Sequence, residues 1–134
     1  FLLMDRGGCR WLAVACCEAK GDYRHGWIAA IEARRPGERG VWNEFVHLDL
    51  EEQTRTIWSD GEDTHLSEPV FVPASPDAAE GDGWILGTAF RARENRSDLL
   101  IFPATDLAAG PVATIELPHR VPHGFHGNWV DAPA

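Results

Sequence analysis

Basic charge is the first thing this sequence is short of. Its 134 residues carry 12 Lys and Arg against 21 Asp and Glu, a net charge of −9 with a pI near 5.0. Nucleic acid and anionic membrane surfaces are bound chiefly by Lys/Arg clusters, so the chain by itself is a poor partner for either. That charge describes these residues alone and leaves membrane docking by a larger protein open. Cysteine is scarce and confined to one end, at Cys9, Cys16 and Cys17. The number is odd, and the adjacent Cys16 and Cys17 lack a C-x-x-C spacing. Neither a disulfide framework nor a zinc ribbon is expected, and reduced thiols point to the cytoplasm. Long apolar runs are missing too: the longest, residues 11–17, is far short of the ~20 residues of a spanning helix. No secretory signal is visible, and the chain opens on Phe1, which raises the expectation of a piece of a longer protein. The remainder is ordinary, with 44% hydrophobic and 25% charged residues, so wholesale disorder is not expected.

Helical periodicity is also lacking. No stretch combines the apolar 3.6-residue period with helix caps, and residues 106–110 offer one helical turn at most. What the sequence has instead is six Trp, 13 Gly and nine Pro, the mark of short aromatic-rich strands broken by turns. Strands are predicted over residues 26–32, 44–50, 55–58, 68–73, 83–86, 98–102 and 112–117, each bounded by Gly, Pro, Asn, Asp or Ser. Glu44-Phe45-Val46-His47-Leu48-Asp49-Leu50 reads as a half-buried strand, and the acidic residues within 44–52 as a solvated face and turn. Pro69 and Pro73 restrict the fourth strand to an edge or strand-end position. The chain is read as all-β.

The strands repeat. Gly26-Trp27 and Gly83-Trp84 each open a group, 57 residues apart, and Ile57 and Ile115 lie 58 apart in the closing strands. A four-strand unit recurring at a long period is the pattern of a β-propeller blade, with loop insertions at residues 60–67 and 74–82. Residues 21–67 form one expected blade and 68–117 the next. Residues 118–134 form a final inner strand and tail, and 1–20 are atypical. Two units do not close a propeller, so further blades are expected from elsewhere. A β-sandwich would account for the same short strands.

Chemistry concentrates near the C-terminus, where His119, His123 and His126 fall within eight residues. Pro122 excludes a helical i, i+4 metal arrangement, and alternation along an extended segment keeps all three from one point. His126, flanked by Gly124 and Gly127, has the best environment for a metal ligand, although a single histidine in a strand also serves as a surface or hydrogen-bonded residue. Glu68 stands 58 residues earlier, one repeat length. A carboxylate near a ligating imidazole accepts its free ring N–H and fixes the tautomer; the other reading of Glu68 is a solvated strand-end residue before Pro69. Asp60, Glu62 and Asp63 lack the regular oxygen spacing of a calcium loop. There is no G-x-S-x-G, H-E-x-x-H or phosphate-cradling glycine loop.

Four motifs, in order and spacing, resemble the C-terminal end of the carotenoid cleavage oxygenases, a family that includes the apocarotenoid and lignostilbene dioxygenases. They are Glu68-Pro69-Val70-Phe71-Val72-Pro73, Glu80-Gly81-Asp82-Gly83-Trp84-Ile85-Leu86, Asp106-Leu107-Ala108-Ala109-Gly110-Pro111-Val112-Ala113, and His119-Arg120-Val121-Pro122-His123-Gly124-Phe125-His126-Gly127-Asn128-Trp129. The resemblance spans roughly residues 23–130. It implies a seven-bladed propeller holding one non-haem Fe(II) on its axis through four histidines. With O₂, such enzymes split a carbon–carbon double bond of a conjugated polyene or stilbene into two carbonyl products. By the same resemblance, the Gly-Phe-His-Gly histidine, here His126, is the last iron ligand. The glutamate of the Glu-Pro-x-Phe-Val-Pro motif, here Glu68, is hydrogen-bonded to a ligand histidine. The three other ligands and the substrate tunnel would lie upstream, so these residues alone are expected to be inactive.

Two features depart from the family pattern: residues 1–20 with all the cysteines, and His123, which stands where an apolar or aromatic residue is expected and reads as a surface imidazole. A propeller-type binding or scaffold module without chemistry is the rival reading.

Overall fold

The computed structural model describes residues 12–14, 23–31, 41–124 and 126–131. Cys9, Cys16 and Cys17, most of the atypical stretch 1–20, the turn at Pro36 and Gly37, and Phe125 lie outside the described residues.

Two antiparallel sheets make up the fold. The first runs in chain order through β1 (Leu12–Val14), β2 (His25–Ala30), β3 (Glu44–Asp49) and β4 (Thr54–Ser59). In the second, β5 (Thr64–Leu66) and β6 (Val70–Pro73) both pair with β7 (Gly83–Arg91), followed by β8 (Arg96–Pro103) and β9 (Ala113–Glu116). One 3₁₀ turn, Leu107–Ala109, falls where a single helical turn was expected. Among the described residues no helix is long and apolar enough to cross a membrane. The all-β reading holds.

Two strands differ from their sequence pattern. Residues 44–47 of β3 are all buried, Glu44 included, so β3 is not half-solvated. It lies between β2 and β4 and is covered on both faces, a position that alternation of polar and apolar residues cannot announce. β7 continues five residues past the expected end, because the turn after Arg91 closes a long hairpin with β8. Asn95 makes that turn with φ of 50°, a conformation asparagine tolerates.

The sheets stack through an aromatic core. Phe45 meets Phe102 edge-on at 5.7 Å, Trp58 meets Phe102 at 4.8 Å, and Trp27 stacks on Phe71 at 4.9 Å. Trp27 Nε1–H donates to the Ala104 carbonyl at 2.7 Å, tying the first sheet to the end of β8. Gly87 sets the spacing: a Cβ there would stand 2.5 Å from the Phe45 ring. Register also refines the repeat. Trp27 and Trp84 open equivalent second strands, but Ile57 faces away from Trp27's side of its sheet, whereas Ile115 shares Trp84's side. The residue equivalent to Ile115 is therefore Trp58, and both strand pairs repeat at 57.

The fold positions two features. Between the pairs Leu66↔Ala89 and Val70↔Leu86, residues 67–69 stand opposite only Gly87 and Thr88, so the inner strand bulges by one residue. Pro69 cannot donate to a ladder, and a bulge is where a strand accommodates it. After Glu116 the chain leaves the sheet. Residues 118–124 and 126–131, read from sequence as a last inner strand and tail, form an arm with no strand partner among the described residues.

Candidate metal centre

The bulge carries Glu68. Ser67 pins it, its hydroxyl accepting from Thr88 N–H at 2.8 Å and donating to the Glu68 carbonyl at 3.2 Å. A bulge breaks the inward–outward alternation and re-aims a side chain. The Glu68 carboxylate is thereby held inside, 8% exposed, rather than in solvent at a strand end.

The arm brings His126 to it. His126 Nδ1 lies 3.0 Å from Glu68 Oε2 and 3.3 Å from Oε1, and Gly127 N–H donates to Oε2 at 3.3 Å. An ionised carboxylate can only accept, so Nδ1 is the donor in this contact. The imidazole is largely exposed while its carboxylate partner is buried. Of the two flanking glycines only Gly127 is at close quarters, where a Cβ would come within 3.0 Å of Val70; Gly124 has open space around it. A cleft of about 270 Å³ beside the pair is walled by Val70, Leu86, Leu99, Val121 and Trp129.

The other sequence candidates lie elsewhere. His123 turns to His65, their rings 5.7 Å apart and near parallel, and His119 is exposed. Asp60 pairs with Arg91 and Asp63 with Arg93, so neither is an open calcium ligand. Among the described residues no group of three or more His, Cys, Asp or Glu could hold a metal. One imidazole with its Nδ1–H taken by a carboxylate has the donor chemistry of a single metal ligand, and further ligands would have to come from outside these residues.

One histidine pair has no counterpart in the sequence reading. His25 and His47, 7% and 6% exposed, place Nδ1 and Nε2 3.0 Å apart. His47 stacks on Trp27, which stacks on Phe71 of the second sheet. Burial, and then the neighbouring His25, push the His47 pKa below its ordinary value. The backbone N–H groups of Arg24 and His25 both donate to Glu80, at 2.7 and 2.9 Å. The available signal was register: a β2–β3 hairpin that pairs Trp27 with His47 puts both on the core side.

Comparison with known proteins places these features in a wider group. The family described as retinal pigment epithelial membrane protein matches residues 18–131. The isoeugenol monooxygenase of Pseudomonas nitroreducens is 38% identical over 122 residues, which are 82% of this chain and 24% of that protein. Among solved structures, a lignostilbene dioxygenase of Pseudomonas brassicacearum superposes with a TM-score of 0.74 at 32% identity, over 83% of this chain and 25% of that one. A cobalt-substituted Synechocystis apocarotenoid oxygenase gives 0.73 at 33%, over 83% and 23%. The chain thus spans about a quarter of the length of these relatives.

Proposed function

The chain belongs to the carotenoid cleavage oxygenase family, and from that membership we propose that it contributes His126 and Glu68 to an Fe(II) centre that cleaves a carbon–carbon double bond with O₂. The observation carrying this reading is the 3.0 Å contact between His126 Nδ1 and the buried Glu68 carboxylate. Glu68 accepts the Nδ1–H, selects the tautomer and raises the basicity of Nε2, the nitrogen offered to the metal. Gly127 N–H shares the same carboxylate oxygen and fixes the arm's backbone beside it. Bound iron would supply the site where O₂ is taken up and activated. The chain's own part is to hold one ligand in orientation and to bury the ligand's base away from water.

The relatives support a substrate class. Lignostilbene, isoeugenol and apocarotenoid share an alkene conjugated to an aryl ring or polyene, and the proposed reaction adds both atoms of O₂ across that bond to leave two carbonyl products. Three further histidine ligands, and the residues that shape the substrate, belong to parts of the protein outside this chain.

The test uses the whole protein with a stilbene, an isoeugenol-type alkene and an apocarotenoid, following O₂ uptake and carbonyl products. One of the three is expected to yield two carbonyls per O₂, and His126→Ala to abolish the yield. Absence of O₂ uptake with all three would replace this reading by the chemically inactive scaffold.

A further inference from the structure

Three ties between the arm and the second sheet fall on a single rung. His65 on β5 stands opposite Phe90 on β7, and Phe90 opposite Ser97 on β8, so the three side chains share one face. Each meets a different residue of the arm. His123 stacks on His65 with the planes 18° apart, the Arg120 guanidinium lies 4.6 Å above the Phe90 ring, and Val121 N–H donates to Ser97 Oγ at 2.9 Å. The Ser97 carbonyl adds a fourth tie, accepting from Leu117 N–H at 2.9 Å. Ser97 itself is 1% exposed. Past Leu117 the arm makes no backbone–backbone hydrogen bond among the described residues, and beyond His123 its next anchor is the contact of His126 and Gly127 with Glu68.

We propose that the rung of His65, Phe90 and Ser97 is a seat that positions the metal-binding arm, with Ser97 the positioning residue on which His126 depends. The inference rests on the reading of His126 as a metal ligand. Fixing a residue's backbone costs conformational entropy, so a long untied segment presents a ligand poorly. The Val121 bond fixes the arm's backbone part-way to His126; without it the ring contacts of Arg120 and His123 hold the arm between Leu117 and His126. The seat also fits the arm chemically. A ring face receives the guanidinium, an imidazole face receives an imidazole, and a buried hydroxyl receives a backbone N–H.

Two substitutions separate positioning from plain stability. Ser97→Ala removes the acceptor, whereas Ser97→Thr keeps it and adds a methyl beside a small cavity of about 30 Å³ lined by His65, Thr88, Ser97 and His123. The whole protein, stripped of metal, is titrated with Co(II) while its visible spectrum is followed, and its hydrogen exchange is read by peptide. Ser97→Ala should weaken Co(II) binding about 3- to 10-fold, the scale of one lost hydrogen bond. It should also alter the Co(II) spectrum and speed exchange in residues 117–124 but not in 98–103, with Ser97→Thr restoring all three. Unchanged Co(II) affinity in Ser97→Ala would overturn the proposal. So would faster exchange throughout β8 that threonine does not rescue, since that marks a merely structural role. His126→Ala runs alongside. If it keeps Co(II) affinity, the metal-ligand reading fails; if it alone loses affinity, only the seat fails.

Discussion

His47 shows how one residue's surroundings set a measurable property. Its imidazole is enclosed by Trp27 and His25, and burial holds its pKa below the ordinary 6.5. The unfolded chain therefore takes up a proton at a higher pH than the folded one. Stability is full above about pH 6.5 and falls as the pH drops through and below that value. His65 is depressed in the same direction, by burial first and then by His123 and Arg120. Thermal midpoints of the whole protein between pH 7.5 and 5 should decline toward acid. In His47→Phe they should start lower, because His25 loses its partner, yet decline less steeply, since only His65 and other groups still titrate. An equal slope in the variant would show that His47 is not buried neutral. Single residues were also where the sequence was most explicit: His126 and Glu68 stood out by their motifs and their 58-residue separation. The contact between them was not legible from that separation. It arises because a bulge turns Glu68 inward and an arm, not a strand, returns His126 to it.

At the scale of elements, strands that alternate or end on Pro and Gly were readable, because backbone chemistry sets their ends. Strands whose partners decide their length were not. β7 reads as four residues by composition, since Gly87 and Ala89 have weak strand preference, and it reaches nine only because β5 and β8 pair along it. β5 is three residues long in a stretch that reads as loop, and it exists through its pairing with Arg91, Phe90 and Ala89. The stacking of the two sheets gives a test at this scale. Gly87 lies against the Phe45 ring, and an added methyl would overlap it at 2.5 Å. Gly87→Ala should cost about 1–3 kcal/mol, the range for overpacking a tight core, read as a lower denaturation midpoint of the whole protein at unchanged slope. A neutral result would mean that the sheets are free to separate by the width of a methyl. Phe45→Leu in the same background should recover part of the loss.

The whole molecule is best seen from the face this chain leaves open. The first sheet buries Trp27, Phe45 and Trp58 against the second, which presents Trp84 and Ile115 on its far side, 42% and 47% exposed. That repetition of one packing step is how propeller blades succeed one another, and the structural relatives are propeller enzymes about four times as long. The acidic balance of these residues, −9, belongs to this part of the surface and does not decide what the rest of a propeller binds. The proposed contribution of this part is one metal ligand, one carboxylate that orients it, and a seat for the arm that carries the ligand. The most direct measurement is the metal content of the purified whole protein and two variants. Wild type should hold one iron per chain and His126→Ala essentially none. Glu68→Gln should bind it about 10–100-fold more weakly, because an amide no longer selects the Nδ1–H tautomer. Stoichiometric iron in His126→Ala would contradict the account at its centre.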